Sequence, residues 1–493
     1  MSLQIYNTLS KKKEVFTPLE EGKVGMYCCG ITAYDECHIG HARSAIVFDV
    51  IYRYLRYRGF NVTYVKNFTD VDDKIIAKAN AEGKDIAEIA ERYIKEHNED
   101  MDALGLIRPT VTPRATENIK GMIRMIARLI EAGLAYCVNG DVFYSVDKFN
   151  GYGKLSGRTL NDMMAGARIE VDEKKKNPFD FVLWKASKKG EPWWDSPWGR
   201  GRPGWHIECS VMSQRYLGET FDIHGGGEDL IFPHHENEIA QAEGATDKPF
   251  ARYWIHNGFI KISSEKMSKS LGNFYTVKDV LKKYHPEVVR LFILQSHYRS
   301  VIDFSDEALR FARGGMERFY STLKNIEEMK SRNGSFDGLS EKNLSGINEK
   351  YLKRIDFLPE RFVKAMDDDF NTARAIGYIF DTIRLVNAYI SDKEFIPDAE
   401  SMFVLDSAKR YIREVGKVLG LFLDDPVSYF EQDRRREAGK RDLDRDTIEG
   451  LIHARNVARQ EKQWEKADSI REELRKKGVV LRDSSQGTIW SVE

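Results

Sequence analysis

Two short strings of this sequence carry residue types suited to handling phosphate. His38-Ile39-Gly40-His41 sets two imidazoles three residues apart around a glycine, and Lys266-Met267-Ser268-Lys269-Ser270 sets two ammonium groups on a stretch that continues as Leu271-Gly272-Asn273. At a helix start, the first string would lie beside free backbone N–H groups and the positive end of the helix dipole, which attract phosphate. Gly40 would let a flat base approach the backbone. The lysines would meet the β- and γ-phosphates of ATP and stabilise charge building on departing pyrophosphate. A third string, His224-Gly225-Gly226-Gly227 with Asp229 beyond it, permits close approach of backbone to a ligand, and Asp229 is placed to hold ribose hydroxyls. Each string alone also has an ordinary reading: polar residues at a helix start, a solvated loop, a flexible turn.

A second chemistry is spread more widely. His234 and Glu238 stand four apart, so a helix would put both on one face. Cys29 ends the first apolar strand pattern, and Cys209 follows Gly204-Trp205-His206-Ile207-Glu208. Two thiolates, an imidazole and a carboxylate would satisfy a zinc ion. Buried free cysteines are the competing reading. Cys28 and His235 adjoin candidate ligands. Strand alternation turns Cys28 away if Cys29 serves, and His235 would lie about 100° around a helix from His234.

The elements that must position these groups read as α/β. Val24 to Cys28 patterns as a buried strand running into a turn at Gly30, His41 to Tyr57 as a helix closed by Gly59, and Val62 to Val65 as the next strand. This order suits a doubly wound parallel sheet. Helices are expected at about Ile86 to Leu104 and Ile119 to Ala132. Leu134 to Val138, Asn139-Gly140 and Val142 to Val146 predict a hairpin with a type I′ turn. From there to about Gly204 no period is clear, and the stretch reads as an insertion between two halves of the sheet. Phe221 to Gly227 and Tyr253 to Ile262 read as strands of the second half. After Asp303 the pattern is helical to about Leu423, a helical bundle. Asp424 to Asp446 reads as a charged, Arg-rich linker, Ile448 to Lys477 as one or two helices, and the remainder as a strand-like tail.

Composition sets the bounds. At 493 residues the chain exceeds one core, and 42% hydrophobic with 31% charged residues is ordinary for a soluble protein. No apolar run is long enough to span a membrane, and Met1 to Lys13 lacks the apolar core of a secretory signal. Five cysteines, odd in number and sparse, argue for a reducing compartment and against a disulfide scaffold. The net charge of -1 gives no support to nucleic-acid binding.

Taken together, the strings at His38 to His41 and Lys266 to Ser270 match the HIGH and KMSKS motifs of the class I aminoacyl-tRNA synthetases, letter for letter. Cys29-Gly30-Ile31-Thr32, Trp205 to Met212 and His224 to Glu238 further resemble the cysteinyl-tRNA synthetase family. The resemblance covers nearly the whole chain. It implies a Rossmann-like catalytic domain with a connective insertion, then a helical bundle and a small anticodon-binding domain. The implied boundaries are 1–120 and 204–302 for the catalytic halves, 121–203 for the insertion, 303–423 for the helical domain that holds the tRNA stem, and 424–493 for linker and anticodon-binding domain.

The resemblance also implies roles. His38, His41, Lys266 and Lys269 would stabilise attack of an amino-acid carboxylate on the α-phosphate of ATP, with Mg2+ accompanying the nucleotide. Gly40, His224, Gly225, Gly226, Gly227, Asp229, Met267 and Lys269 would bind ATP. Zinc, one per subunit, would be held by Cys29, Cys209, His234 and Glu238 and would take the thiolate of the substrate L-cysteine. Trp205 would wall the substrate side chain. Thr69 would lie near the amino-acid group, though a helix N-cap is an equal reading. Asp483, Trp490 and Arg455 would contact tRNA(Cys), with Arg459 a further phosphate contact. Trp490 reads equally as packing against the last helices. A cytoplasmic monomer without an editing domain is expected. Two other readings stand beside this one: a mycothiol-type cysteine ligase with an amino-sugar acceptor, which would need no anticodon-binding tail, and a non-catalytic RNA- or zinc-binding paralogue, which would not need both motifs.

Overall fold

The computed structural model describes residues 2–159, 173–262, 265–266, 275–333, 344, 346–440, 445–484 and 487–492. The chain divides into two compact units. One holds Met1–Phe274, Ile293–Phe304 and Glu360–Tyr378; the other holds Tyr275–Phe292, Ser305–Pro359 and Ile379–Glu493.

The first unit opens on the hairpin β1 (Gln4–Asn7) and β2 (Lys12–Val15), then enters the central sheet. β3 (Lys23–Thr32), α1 (Ile39–Tyr57) and β4 (Asn61–Thr69) follow in order. Next come α2 (Asp73–Glu82), α3 (Ile86–Ala103) and α4 (Ile119–Glu131). The expected type I′ hairpin joins β5 (Ala135–Val138) to β6 (Asp141–Tyr144), with Asn139 at φ 51° and Gly140 at φ 86°. The insertion is more regular than its sequence. β7 (Phe181–Ala186) and β8 (Gly201–Pro203) extend the hairpin to a four-stranded antiparallel sheet in the order β5-β6-β7-β8. Its strands hide because Trp184 and Leu183 are consecutive and both buried, which breaks the alternation of a one-faced strand.

The second half supplies α5 (Trp205–Leu217), β9 (Phe221–Gly227), α6 (Glu236–Thr246) and β10 (Ala251–Asn257). The central sheet is wholly parallel, in the order β10-β9-β3-β4. α1 covers one face, where Phe48 fills the space above Gly225. α5 and α6 cover the other, where Cys209, Met212 and Ile239 join a core with Tyr27 and Val65. The halves meet where β3 pairs with β9, the switch point outside which doubly wound sheets bind ligands.

Two expectations need correction. Tyr253 to Ile262 is not one strand but β10 and a separate β11 (Ile260–Ile262), which pairs with β12 (Glu265–Lys266) and β13 (Ile302–Asp303). The break falls at Gly258, whose N–H leaves the central sheet to bond the Tyr298 carbonyl and whose missing Cβ would sit 2.7 Å from the Arg299 carbonyl oxygen. In the second unit, the expected linker at Asp424 to Asp446 contains the helix Pro426–Lys440. There Tyr429 stacks on Tyr320 at 4.0 Å and Asp433 pairs with Arg313 at 2.8 Å, so the Arg-rich surface conceals an anchored inner face. That unit also contains the long helix Asp306–Asn333, the paired helices Arg445–Gln460 and Trp464–Lys476, and a final hairpin of β14 (Val479–Ser484) and β15 (Gly487–Val492). Among the described residues, no helix is long and apolar enough to cross a membrane.

Candidate active site and metal centre

A cavity of about 280 Å³ opens where β3 and β9 end, lined by Cys29, His38, Gly40, His41, Lys66, Gly227 and Asp229, among others. His38 caps α1: its Nδ1 accepts the Gly40 N–H at 3.1 Å, and His41 Nδ1 accepts the His38 N–H at 3.3 Å. The two rings stack with centroids 3.7 Å apart. A ring nitrogen that accepts a hydrogen bond carries no proton, so each neutral imidazole holds its proton on Nε2. The helix cap therefore sets the tautomer and puts each proton on Nε2, the atom that can donate to an anion. Burial, then the neighbouring His38, His97 and Lys66, hold the His41 pKa well below the ordinary value, so it donates as a neutral group. Arg43, buried on the same helix, donates to the carbonyls of Phe259, Tyr298 and Ser300 and so ties α1 to the β11–β13 sheet.

Lys266 starts the second lysine string on β12, whose backbone pairs with β11. Met267 and Lys269 lie outside the described residues. Of the glycine string, Gly227 and Asp229 line the cavity. His224, Gly225 and Gly226 do not. A Cβ on Gly225 would collide with the Phe48 ring at 2.3 Å, and one on Gly226 would meet Leu230 at 2.8 Å, so those glycines serve packing.

His224 turns instead into a cluster on the opposite face of the sheet. Cys29 Sγ lies 3.7 Å from Cys209 Sγ and 3.3 Å from Glu238 Oε1, and His234 Nε2 lies 3.0 Å from Glu238 Oε1. These four donors lie within 4.8 Å of one another and are all buried. Four segments deliver them: Cys29 from β3, Cys209 from α5, His234 from Ile231–His235 and Glu238 from the first turn of α6. Cys28 faces α1, as strand alternation requires. His235 is closer than expected. The chain kinks at Phe232, whose backbone is extended (φ -140°, ψ 130°) rather than helical, and His235 Nε2 reaches to 3.2 Å from Cys29 Sγ. Cys29, His224, His235 and Glu238 thus form a second donor set of the same compactness. His235 is itself bound on its other nitrogen by His256 at 2.8 Å, and His224 is spent on Glu238 Oε2 at 2.8 Å.

The donor chemistry fits a soft divalent ion, with two sulfurs, one imidazole nitrogen and one carboxylate. The surroundings orient each donor. His206 Nδ1 lies 2.8 Å from His234 Nδ1; burial keeps His206 neutral, so it accepts the Nδ1 proton and leaves His234 Nε2 free to ligate. Trp205 is 40% exposed and stacks on His234 at 4.1 Å. Burial raises the Cys29 thiol well above its usual range. Burial also works to raise Cys209, but hydrogen bonds from Cys29 and His234 bring it down to about 6. Burial disfavours charge on His234, yet Glu238 and Cys209 lift it to about 10; burial likewise works against the Glu238 carboxylate, and His224 and His234 hold it ionised. Without metal the neutral-pH site holds a thiol, a thiolate, an imidazolium and a carboxylate. A divalent ion would displace about two protons, from Cys29 and His234, and leave the net charge unchanged.

Thr69 caps no helix. It ends β4 and bonds Glu208 at 2.6 Å, while Asp72 caps α2 by accepting from Lys74 N–H at 2.9 Å. In the second unit Trp490 is 8% exposed and packs with Ile448, Ile452, Leu474 and Leu481, which favours the packing reading. One edge lines a groove of about 410 Å³ with Arg434, His453 and Asn456. Arg455 is buried near Thr488, Arg459 is exposed, and the Asp483 side chain lies outside the described residues. The sequence reading passed over His206, His256, Lys66 and Arg43. Only His206, three residues before Cys209 on a helix, left a periodic signal.

A parallel sheet with a phosphate-ready helix start at its switch point defines the class I synthetase architecture. Residues 15–314 match the family model described as tRNA synthetases class I (C) catalytic domain, 361–423 the DALR domain, and 441–490 the cysteinyl-tRNA ligase anticodon binding domain. The fold resembles a solved Mycobacterium tuberculosis methionyl-tRNA synthetase at TM-score 0.60 and 17% identity, covering 86% of this chain and 94% of that one. The chain belongs to the cysteine–tRNA ligase family. It is 56% identical over 493 residues to the cysteine–tRNA ligases of Geobacter sulfurreducens and Geobacter metallireducens, covering 100% of both partners in each pair.

Proposed function

We propose that this enzyme activates L-cysteine with ATP and transfers it to the terminal adenosine of tRNA(Cys), using His38, His41, Lys266 and Lys269 for the first step and Cys29, Cys209, His234 and Glu238 to hold zinc. The observation that carries the reading is the position of Cys29, which belongs at once to the four-donor cluster and to the wall of the His38–His41 cavity. A side chain anchored at the cluster would have its carboxylate reach into the phosphate cavity. When bound, zinc supplies a soft Lewis-acid centre that takes a substrate thiolate in preference to a hydroxyl.

In the first step an oxygen of the cysteine carboxylate forms a bond to the α-phosphorus of ATP, and the bond to the β-phosphate bridging oxygen breaks. Cysteinyl-adenylate and pyrophosphate result. The Nε2–H groups of His38 and His41 donate to the α-phosphoryl oxygens as charge develops there, and the two lysines balance the departing pyrophosphate. Magnesium enters with the nucleotide. In the second step a ribose hydroxyl of the tRNA terminus attacks the adenylate carbonyl and AMP leaves. Discrimination by thiolate exceeds what an apolar pocket achieves against serine or alanine, which removes the need for editing. The match of 441–490 to an anticodon-binding domain disfavours the amino-sugar ligase, and the presence of both phosphate motifs disfavours a non-catalytic paralogue. The domain roles follow the same reading: 1–120 and 204–302 catalytic, 121–203 connective, 303–423 stem-holding, and 424–493 anticodon-reading.

The test is cysteine-dependent ATP–pyrophosphate exchange with serine as control, followed by charging of tRNA(Cys) in the same preparation. Exchange with cysteine and charging are expected. Exchange without charging of a competent tRNA would assign a small-molecule acceptor, and no exchange from folded, zinc-loaded protein would overturn the catalytic reading.

A further inference from the structure

A second cleft of the first unit lies apart from the nucleotide cavity. It holds about 900 Å³ between α4 and α5, closed at one side by Trp194 and Asp195. Lys120, Arg124 and Arg128 stand on its α4 wall at intervals of four residues, and Arg215 faces them from α5. All four are exposed. Four residues advance a helix by about 6 Å, so the α4 cations form a straight row about 12 Å long, the kind of spacing at which a nucleic-acid strand presents successive phosphates.

The charges in this cleft are unequally satisfied. Its acids are engaged from outside: Glu219 pairs with Lys248 at 2.6 Å, Asp195 with Arg200 at 3.5 Å, and Glu117 acts on Arg114. Among the described residues, Lys120, Arg124 and Arg128 have no direct ion-pair partner, Arg128 acting on Glu219 only from farther off, although long cations elsewhere in the chain commonly have one. Arg215 bonds the Asn118 side chain and the Glu117 carbonyl, which fixes its direction and leaves its charge unbalanced. The Gln214 side-chain nitrogen, also on the cleft wall, is buried with no acceptor. The cleft thus offers a row of cations without direct ion-pair partners and a buried donor, beside carboxylates engaged elsewhere.

We propose that this cleft binds the phosphate backbone of the RNA substrate, at a place on the catalytic unit distinct from any anticodon contact. The inference rests on the reading of the chain as an RNA-charging enzyme. A strand of phosphates fits better than an acidic protein segment because the row is straight, evenly spaced and open along its length.

The test uses the full chain with Lys120→Gln, Arg124→Gln and Arg128→Gln combined. All three side chains are exposed, so folding should be retained, and ATP–pyrophosphate exchange without RNA should stay within about twofold of the parent. The KM for tRNA in charging should rise about tenfold near 0.15 M salt. The log–log salt slope of tRNA binding should become shallower by about two, since each phosphate that is no longer neutralised removes roughly 0.7. A charge-keeping variant, Arg124→Lys with Arg128→Lys, should restore most of both. Unchanged KM and slope overturn the proposal. They do so equally if inorganic tripolyphosphate binds the parent and not the triple variant, since the cleft would then serve a free polyanion. Because tRNA binding is measured without chemistry, loss of exchange in the parent would sink the catalytic reading and leave this test standing.

Discussion

The phosphate cavity, against the α1 side of β3, and the metal cluster, against its α5 and α6 side, meet at Cys29 and use histidine in opposite ways. In the cavity, His38 and His41 spend Nδ1 on backbone N–H groups, and burial keeps His41 neutral. In the cluster, His234 is an imidazolium balanced by Glu238 and Cys209, ready to exchange its proton for a metal ion. One face is prepared before the substrate arrives, and the other is prepared by what it loads. The difference follows from packing: a helix terminus supplies donors to a half-open cavity, while complete burial of two sulfurs, an imidazole and a carboxylate forces them to neutralise one another.

The largest effect should come from breaking the cluster. Cys209→Ala removes the more readily ionised of the two thiols and should lower metal affinity by more than ~10³-fold, with cysteine-dependent exchange falling in step; metal content and exchange rate measure both. Breaking the other face should look different. His38→Asn keeps an N-cap acceptor and removes the Nε2–H donor, so exchange should fall about 10²-fold at unchanged metal content. His38→Ala should also cost about 1 kcal/mol of stability through the lost cap, read by denaturant titration. His206→Phe removes the bond that orients His234 while keeping a ring against Phe181 and Trp205. It should weaken metal binding by ~10–100-fold and raise KM for cysteine more than it lowers kcat.

The smallest and most general effect is on pH dependence. With His234 and Cys29 protonated in the metal-free site and Cys209 ionised above about 6, metal uptake should release about two protons. Affinity should therefore rise steeply with pH between about 6 and 9, and calorimetry in buffers of different ionisation enthalpy counts the protons. Release of none would mean that the donors are already deprotonated without metal.

Much of this was legible in the sequence. The parallel-sheet order, the α1 start at the first phosphate string and the Asn139-Gly140 turn follow from periodicity and turn chemistry. The four metal donors emerged from resemblance, since Cys29 and Cys209 are far apart in the chain and only the sheet brings them together. What escaped was set by tertiary packing. Gly225 and Gly226 look like ligand-approach residues but make room for Phe48 and Leu230. His235 was expected to point away, but the chain kinks at Phe232 just before it and His235 Nε2 comes to 3.2 Å from Cys29 Sγ. The helix Pro426–Lys440 was obscured by its arginines, because its buried face depends on Tyr320 and Arg313, residues more than a hundred positions earlier.

The central claim is that the cluster selects the substrate thiolate while the His38–His41 pair at the start of α1 meets the phosphate. The most direct measurement is the absorption spectrum of cobalt-substituted protein titrated with cysteine and, separately, serine. An added sulfur-to-cobalt charge-transfer band with cysteine and none with serine is the predicted result. An unchanged spectrum at saturating cysteine would contradict the account.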